Sequence, residues 1–208
     1  MVKCMSFLKN STSFTRFRLV DAIPADFWET FPDKLKQFAF QDIDEIPEER
    51  AFGWTNFDDM LDTGWTLNTP EKGEYLTFSL RLDTRRIPAA VLKKHTRIAL
   101  KQEEAHIREQ GKKFVSRERK KELAEQVKLR LMGRYLPIPA EFQVIWNPNS
   151  GQVWLASTQG KIVELFLEYF VHSFDLHLEQ LLPYGLALSL LGEDAATRLD
   201  SLEATRFL

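Results

Sequence analysis

The sequence has a single cysteine, Cys4, among 208 residues. An intrachain disulfide needs two cysteines and a multi-cysteine zinc cage needs more, so both kinds of site are excluded. Low-complexity linkers and internal repeats are also lacking, and glycine and proline number only nine each. Since structural disulfides are rare in reducing compartments, one cysteine fits a cytoplasmic protein, and we expect that location here.

Long hydrophobic runs are missing as well. The longest, residues 181–191, is broken by Pro183 and Gly185 and is shorter than the roughly 20 apolar residues that span a bilayer. Residues 1–9 contain no apolar run of signal-peptide length. The sequence therefore predicts a soluble protein with no membrane partner.

What the chain does have is material for a core and an uneven distribution of charge. Apolar residues make up 44% of the chain, and 16 Phe and 5 Trp supply large buried surfaces. The net charge is −2, yet residues 81–130 carry 16 Lys and Arg against 7 Asp and Glu, while the rest carries 12 against 23. An acidic body with one basic segment indicates a polyanionic partner such as DNA.

Periodicity and turn chemistry predict an α+β fold of mixed sheet elements. Alternation in residues 74–82 places Leu76, Phe78 and Leu80 on one face of a strand. Pro88 and Ser116 each mark the start of a long helix, and Gly111 and Gly133 mark the ends. The predicted strands are 14–20, 74–82, 141–146 and 152–156, residues 52–55 are predicted to be a turn into a strand, and the predicted helices are 24–40, 88–110, 116–132, 161–174 and 193–208. We expect one unit over residues 1–208, with a protruding basic helical hairpin at 87–134 and a C-terminal helical region.

The first helix of the hairpin carries what we call the basic ridge. At about 100° per residue, five basic side chains fall within roughly a quarter of the helix circumference: Lys93, Lys94, Arg97, Lys101 and Arg108. An apolar set, Val91, Leu92, Ile98, Ala99 and Ala105, is predicted to pack on the neighbouring flank. Glu104 also falls within the ridge. Phosphate contacts are the function that such a ridge favours.

Further basic residues extend this surface along the turn and the second helix. The predicted DNA-binding residues beyond the ridge are Lys112, Lys113, Arg117, Lys121 and Lys128. The second helix has its own apolar stripe, which includes Leu123, Val127 and Leu131. The alternative is a solvated hairpin with ordinary i,i+4 ion pairs such as Glu104–Arg108. No recognition-helix motif is evident, so sequence-specific binding is not predicted.

Several segments of the hairpin and its surroundings resemble the RdgC recombination-associated proteins. The segments are residues 86–94 (RIPAAVLKK), 109–114 (EQGKKF) and 118–123 (ERKKEL), together with the pair Gly53-Trp54, Arg134 and residues 156–158 (AST). The resemblance covers roughly residues 7–190, and the chain looks shorter than typical members. It implies an α+β fold, a ring-shaped homodimer with a basic inner channel, and sequence-independent DNA binding, with duplex DNA as the expected partner and single strands as an open alternative. It further implies nucleoid association and restraint of RecA-dependent recombination.

Other candidate sites compete with this interpretation, and most of them have a simpler explanation. The acidic residues Asp42, Asp44, Glu45, Asp58, Asp59 and Asp62 could hold a divalent metal, but they lie in predicted loops. His172, Asp175 and His177 have no recognised zinc spacing. Trp54, Trp65, Trp146 and Trp154 could stack on bases, but large aromatics are more often core residues. Phe114, at the hairpin tip, could be a local staple or a contact to a partner subunit.

The sequence thus predicts a non-catalytic, non-specific DNA-binding protein of RdgC type, without cofactor or metal, which limits recombinase access to DNA. The alternatives are a metal-dependent DNA exonuclease and a relative that binds RNA or protein.

Overall fold

The computed structural model describes residues 7, 12–66, 68–109 and 114–203, with Glu193 described by its backbone alone. Seven strands of this part form one sheet in the order β2-β4-β5-β6-β1-β7, and β3 pairs with β4. The strands are β1 Thr15–Leu19, β2 Arg50–Asn56, β3 Glu71–Lys72, β4 Tyr75–Thr84, β5 Ile138–Asn147, β6 Gln152–Leu155 and β7 Leu178–Gln180. Each pairing of these strands is antiparallel.

Six α-helices accompany the sheet in the described residues, and together they confirm the α+β class. They are α1 Phe27–Gln37, α2 Ala89–Glu109, α3 Arg117–Met132, α4 Gly160–Phe174, α5 Pro183–Leu191 and α6 Ala196–Asp200. Ser116 caps α3 as predicted, because its hydroxyl accepts a hydrogen bond of 3.1 Å from the Arg119 amide. Gly111 lies outside the described residues. None of the described helices has the length and apolar character needed to cross a bilayer.

The main core lies between one face of the sheet and the helices α1 and α4. Aromatic rings fill it, with Phe31 stacked on Phe174 at 5.3 Å between ring centroids and Trp146 against Phe170 at 5.4 Å. Gly53 allows the segment after α1 to approach β2, since a Cβ there would lie 2.4 Å from the Phe40 Cα. Side chains of this size contribute much of the apolar surface that folding buries.

The opposite face of the sheet is also partly covered, but its central side chains are polar. Arg81 on β4 and Gln143 on β5 are both buried there. The Gln143 amide donates to the Phe57 carbonyl at 3.1 Å, and Arg81 donates to the Met60 carbonyl at 3.3 Å. These hydrogen bonds attach the loop after β2 to the sheet, because buried donors need partners.

The helical hairpin is inserted between β4 and β5, which are neighbouring strands. Arg85, one residue after β4, is 3% exposed at the root of the hairpin. Its guanidinium donates to four backbone carbonyls of the preceding loop, those of Ile43, Asp44, Ile46 and Glu48, over 2.5–3.2 Å. The hairpin therefore begins at a position fixed by charge-assisted hydrogen bonds.

The main differences from the predictions lie at the C-terminal end. No element was predicted for the apolar segment 181–191, where helix α5 begins with Pro183 in its first turn. Strand β7 was not predicted, since three residues are too few to show a period. The predicted terminal helix is a 3-10 turn at Glu193–Ala195 followed by α6, and residues 204–208 lie outside the described part.

Candidate nucleic-acid interface

The five side chains of the basic ridge are all exposed on α2. No residue of this 21-residue helix is buried. No carboxylate in the described part of the chain lies within 4.0 Å of a ridge cation. Glu104 and Arg108, whose ion pair would favour a merely solvated hairpin, are farther apart than that distance. The ridge thus presents five cations to solvent.

The side of α2 that packs overlaps the predicted one only in part, because Val91, Leu92 and Ala99 are half-buried as predicted. Ile98 is 42% exposed and Ala105 is exposed, so two of the five predicted apolar contacts are wrong. The half-buried positions are Val91, Leu92, His95, Thr96, Ala99, Leu100, Glu103 and Ile107. Viewed down the helix axis, the centre of most of these positions lies about 120° from the centre of the basic ridge. The helical-wheel prediction was wrong at these positions because it assigned packing to apolar residues alone. The half-buried stripe of α2 also includes the polar residues Thr96 and Glu103.

Helix α3 supplies the other half of the hairpin contact, and its prediction is confirmed. Leu123, Val127 and Leu131 are buried. Arg119 crosses to α2, where its Nε donates to Glu103 at 2.8 Å, and it also contacts Glu122 at 3.1 Å. Hydrogen bonding to Arg119 holds the pKa of Glu103 below its usual value. The pairing engages two acidic groups of the hairpin and leaves the ridge cations out of the contact.

The remaining predicted DNA-binding residues differ in their surroundings. Lys121 is 81% exposed at the side chain and lies 4.0 Å from Glu125, and Arg117 is exposed at the start of α3. Lys128 forms an ion pair of 2.6 Å with Glu49 on the body, so its charge is already matched. Lys112 and Lys113 lie outside the described residues. The structure brings the ridge together on one helix and assigns Lys128 a second role at the root.

Phe114, next to the tip of the hairpin, is 87% exposed. It borders a cleft of about 200 Å³ with Ile107, Arg108, Val115 and Lys120. Its neighbour Val115 is buried, so Val115 rather than Phe114 acts as the local apolar contact. Contact with a partner subunit therefore stays the prediction for Phe114.

The acidic residues that could have formed a nuclease site are engaged in loop structure. Asp58 pairs with Lys72 at 2.5 Å, Asp59 accepts from the Leu61 amide at 2.9 Å, and Asp62 accepts from the Gly64 amide at 3.0 Å. Asp42 accepts from the Asp44 amide at 2.7 Å. Within the described ranges, no group of three or more His, Cys, Asp or Glu residues is placed to hold a metal ion. Cys4 lies outside these ranges.

The histidine motif also separates in space. His172 packs its ring on Phe38 at 5.0 Å, Asp175 ends α4 in the left-handed conformation with φ 57°, and the His177 Nδ1 lies 2.9 Å from Asp21. Three residues used in three different local contacts do not form a ligand set.

The tryptophans divide between the core and the opposite face of the sheet. Trp54 and Trp146 are fully buried, as the simpler interpretation predicted. Trp154 is half-buried on the face opposite to Trp146, and Trp65 is half-buried in the loop after β2. Trp146 on β5 and Trp154 on β6 thus do not pack on each other, because they lie on opposite faces of the sheet.

Comparison with known proteins gives one family. No curated protein sequence matches the chain. A family model described as "Putative exonuclease, RdgC" matches residues 7–183, which include the sheet, α1 to α4 and the whole hairpin. Because this match spans well over half of the sequence, the chain belongs to the RdgC family.

Proposed function

We propose that this protein binds duplex DNA through the basic ridge of the hairpin, without reading sequence and without cleaving DNA. The observation that carries the proposal is the set of five exposed cations on one flank of α2, none matched by a described carboxylate within 4.0 Å. DNA carries one charge per about 1.7 Å of axis, so cations at helical spacing can each find a phosphate.

The chemistry of the ridge supports contact with the backbone of DNA rather than with its bases. Lysine and arginine neutralise phosphates and release condensed counterions, which gives affinity that does not depend on sequence. Reading bases in the major groove requires side chains such as Asn, Gln or Arg held in bidentate geometry at a docked helix. The ridge is instead a row of long flexible side chains on a helix that is exposed along its length.

Membership of the RdgC family supports a role associated with recombination. A protein that covers DNA through phosphates limits the access of a recombinase to the same DNA, because both compete for one backbone. We therefore propose antagonism of RecA by occupancy, and association with the nucleoid as its consequence. Sequence independence would let this restraint act along the whole chromosome.

The test is a titration of duplexes of unrelated sequence at several salt concentrations. If four to five ridge cations contact phosphates, log K should fall against log salt with a slope of about −4, at roughly −0.9 per phosphate. Duplexes of equal length should bind with equal affinity within about twofold. A salt-independent affinity, or strong preference for one sequence, would contradict the proposal.

A nuclease is the second candidate function, because the printed description of the family names an exonuclease. We expect no loss of end-labelled duplex or single-stranded DNA with magnesium or manganese, since Asp58, Asp59 and Asp62 are engaged in loop contacts. The matched variant is Asp58→Asn. Degradation by the parent protein that disappears in this variant would establish the nuclease and overturn the proposal on this point.

We also propose a homodimer, and helix α5 is the surface that supports it. Residues 181–192 carry no charge and none of them is buried, with Leu190 82% and Leu191 64% exposed. An uncharged apolar surface is best covered by another uncharged surface, and two-fold symmetry places each α5 against its copy. Light scattering at micromolar concentration should give a dimer that Leu190→Asp shifts to monomer, while Leu61→Asp, at a comparably exposed leucine, should leave it intact. A parent protein that is monomeric would refute this.

A further inference from the structure

Over β1 and β6 the sheet's second face is contacted by Phe7, whose amide donates to the Gln143 side chain at 2.9 Å and whose ring lies 5.8 Å from that of Phe14. Pairing brings Ile145, Trp154 and Arg16 into one cross-strand row. The next row holds Asn147, Gln152 and Arg18, in the same order of strands. Ile145, Asn147 and Trp154 are half-buried, whereas Arg16, Gln152 and Arg18 are exposed. The surface is therefore partly accessible, and basic on its β1 side.

Aromatic rings lie at the centre and the margin of this area, which we call the outer aromatic face and define by Phe14, Arg16, Arg18 and Trp154. The rings of Phe14 and Trp154 are 5.9 Å apart at a tilt of 35°. Phe14 is 43% exposed. It stands one residue before β1, on the exposed side of that strand's alternation. The Nε1 of Trp154 is buried, so hydrogen bonding by the indole does not contribute to this accessible surface.

A groove of about 320 Å³ continues from the face at the edge of β1. Phe14 and Arg16 line it, together with Thr158, Gly160 and Gln180. The groove is thus bordered by an aromatic ring, a guanidinium, a hydroxyl and an amide, with no carboxylate among its lining residues. Arg18 is half exposed and pairs with Glu179 at 2.8 Å, which leaves Arg16 as the unmatched cation nearest to the rings.

We propose that the outer aromatic face binds single-stranded nucleic acid, with unpaired bases stacked on Phe14 and Trp154 and a phosphate at Arg16. Single-strand binding surfaces combine aromatic stacking platforms with cations that follow the backbone, frequently on the face of a sheet. A duplex hides the faces of its bases, so this surface offers it little. An apolar protein partner would gain nothing from the unmatched Arg16 beside the rings, which favours an anionic ligand.

The outer aromatic face lies on the sheet, whereas the basic ridge lies on α2. None of the five residues that define the ridge is aromatic. The inference shares with the proposed function only the premise that the partner is a nucleic acid. The two surfaces can therefore fail independently: the ridge governs duplex affinity, and the outer aromatic face governs the additional affinity for unpaired strands.

The experiment measures fluorescence anisotropy of labelled oligothymidine and oligouridine, each about 20 nucleotides long, and of a duplex of the same length. Phe14→Ala should weaken binding of one or both single strands at least fivefold, the low end of what loss of one stacked base produces. Duplex affinity should change less than twofold. Arg16→Glu should weaken single-strand binding as well and reduce its salt slope by about 0.7, because one phosphate contact is lost.

Matched controls keep the result specific to this face. Trp28→Ala removes a ring that is 45% exposed on α1, and Lys36→Glu reverses an exposed charge on the same helix. Both should bind all three probes like the parent protein. Retention of parental single-strand affinity by Phe14→Ala and Arg16→Glu would overturn the inference and leave the face to a protein partner. A parallel loss on duplex and single strands would also overturn it, whereas loss of duplex binding alone in a ridge variant bears on the proposed function.

Discussion

Reversing two charges of the basic ridge, Lys94→Glu with Arg97→Glu, should weaken duplex DNA binding roughly tenfold or more for every sequence tested. Both side chains are exposed and neither lies within 4.0 Å of a carboxylate in the described part of the chain, so the parent protein has both charges available for phosphate. The slope of log K against log salt should decrease in magnitude by about 2, since two phosphate contacts are removed. Equal loss on all sequences is expected because phosphates carry no sequence information.

The fold should tolerate these substitutions, because the packed side of α2 lies elsewhere on the helix. Circular dichroism and the urea midpoint should therefore match those of the parent protein. The control is the pair Lys36→Glu with Arg50→Glu, which changes net charge equally at exposed sites off the hairpin. If the ridge variant binds as tightly as this control, the hairpin is a solvated element and the proposed interface is wrong.

The sequence predicted the hairpin and its ridge well because both depend on local signals. Pro88, Ser116 and Gly133 mark helix ends by backbone chemistry that acts within a few residues, and α2 and α3 end close to the predicted places. The exposure of the ridge followed from charge alone, since unpaired cations are almost never buried.

Long-range pairings could not be predicted in the same way. Lys128 has the sequence environment of any exposed helical lysine, yet it meets Glu49, 79 positions earlier in the chain. Arg85 sits beside Arg86 in a basic segment, but the first is buried on four carbonyls and the second is exposed. Partner identity depends on which loop folds over the strand, and no local period encodes that.

The outer aromatic face could likewise be predicted only in part from the sequence. The alternation of Arg16 and Arg18 with buried neighbours is legible in the sequence as a strand with one wet face. That Trp154 joins these arginines depends on β6 pairing with β1, across more than 130 residues of chain. Stacking candidates were therefore named from residue type, and only the sheet register separates Trp154 from the core residues Trp54 and Trp146.

A buried ion pair lies on β4, the strand that leads into the helical hairpin. Breaking this pair should lower the stability of the protein substantially. Arg81 and Asp83 lie two residues apart on β4 and form two hydrogen bonds of 2.8 Å. Their side chains are 8% and 2% exposed, and the Phe40 ring lies 4.1 Å from the guanidinium. Hydrogen bonding to Asp83 raises the pKa of Arg81 above its ordinary value. Arginine is protonated at neutral pH even without such a partner, so Arg81 stays charged when Asp83 is replaced.

Asp83→Asn should therefore lower the free energy of unfolding by about 3–5 kcal/mol, since it leaves a buried cation without its counter-charge. Urea denaturation followed by tryptophan fluorescence measures this loss. Glu179→Gln, which breaks the exposed pair with Arg18 in the same sheet, should cost less than about 1 kcal/mol because water screens that pair. Replacing both buried partners, Arg81→Met with Asp83→Leu, should recover part of the stability lost in Asp83→Asn, because the buried cation is removed together with its partner, while Glu141 stays buried opposite position 81. Equal stability of Asp83→Asn and Glu179→Gln would show that burial adds nothing to this pair, and that the strand is held at the hairpin root by Arg85 and its four carbonyls instead.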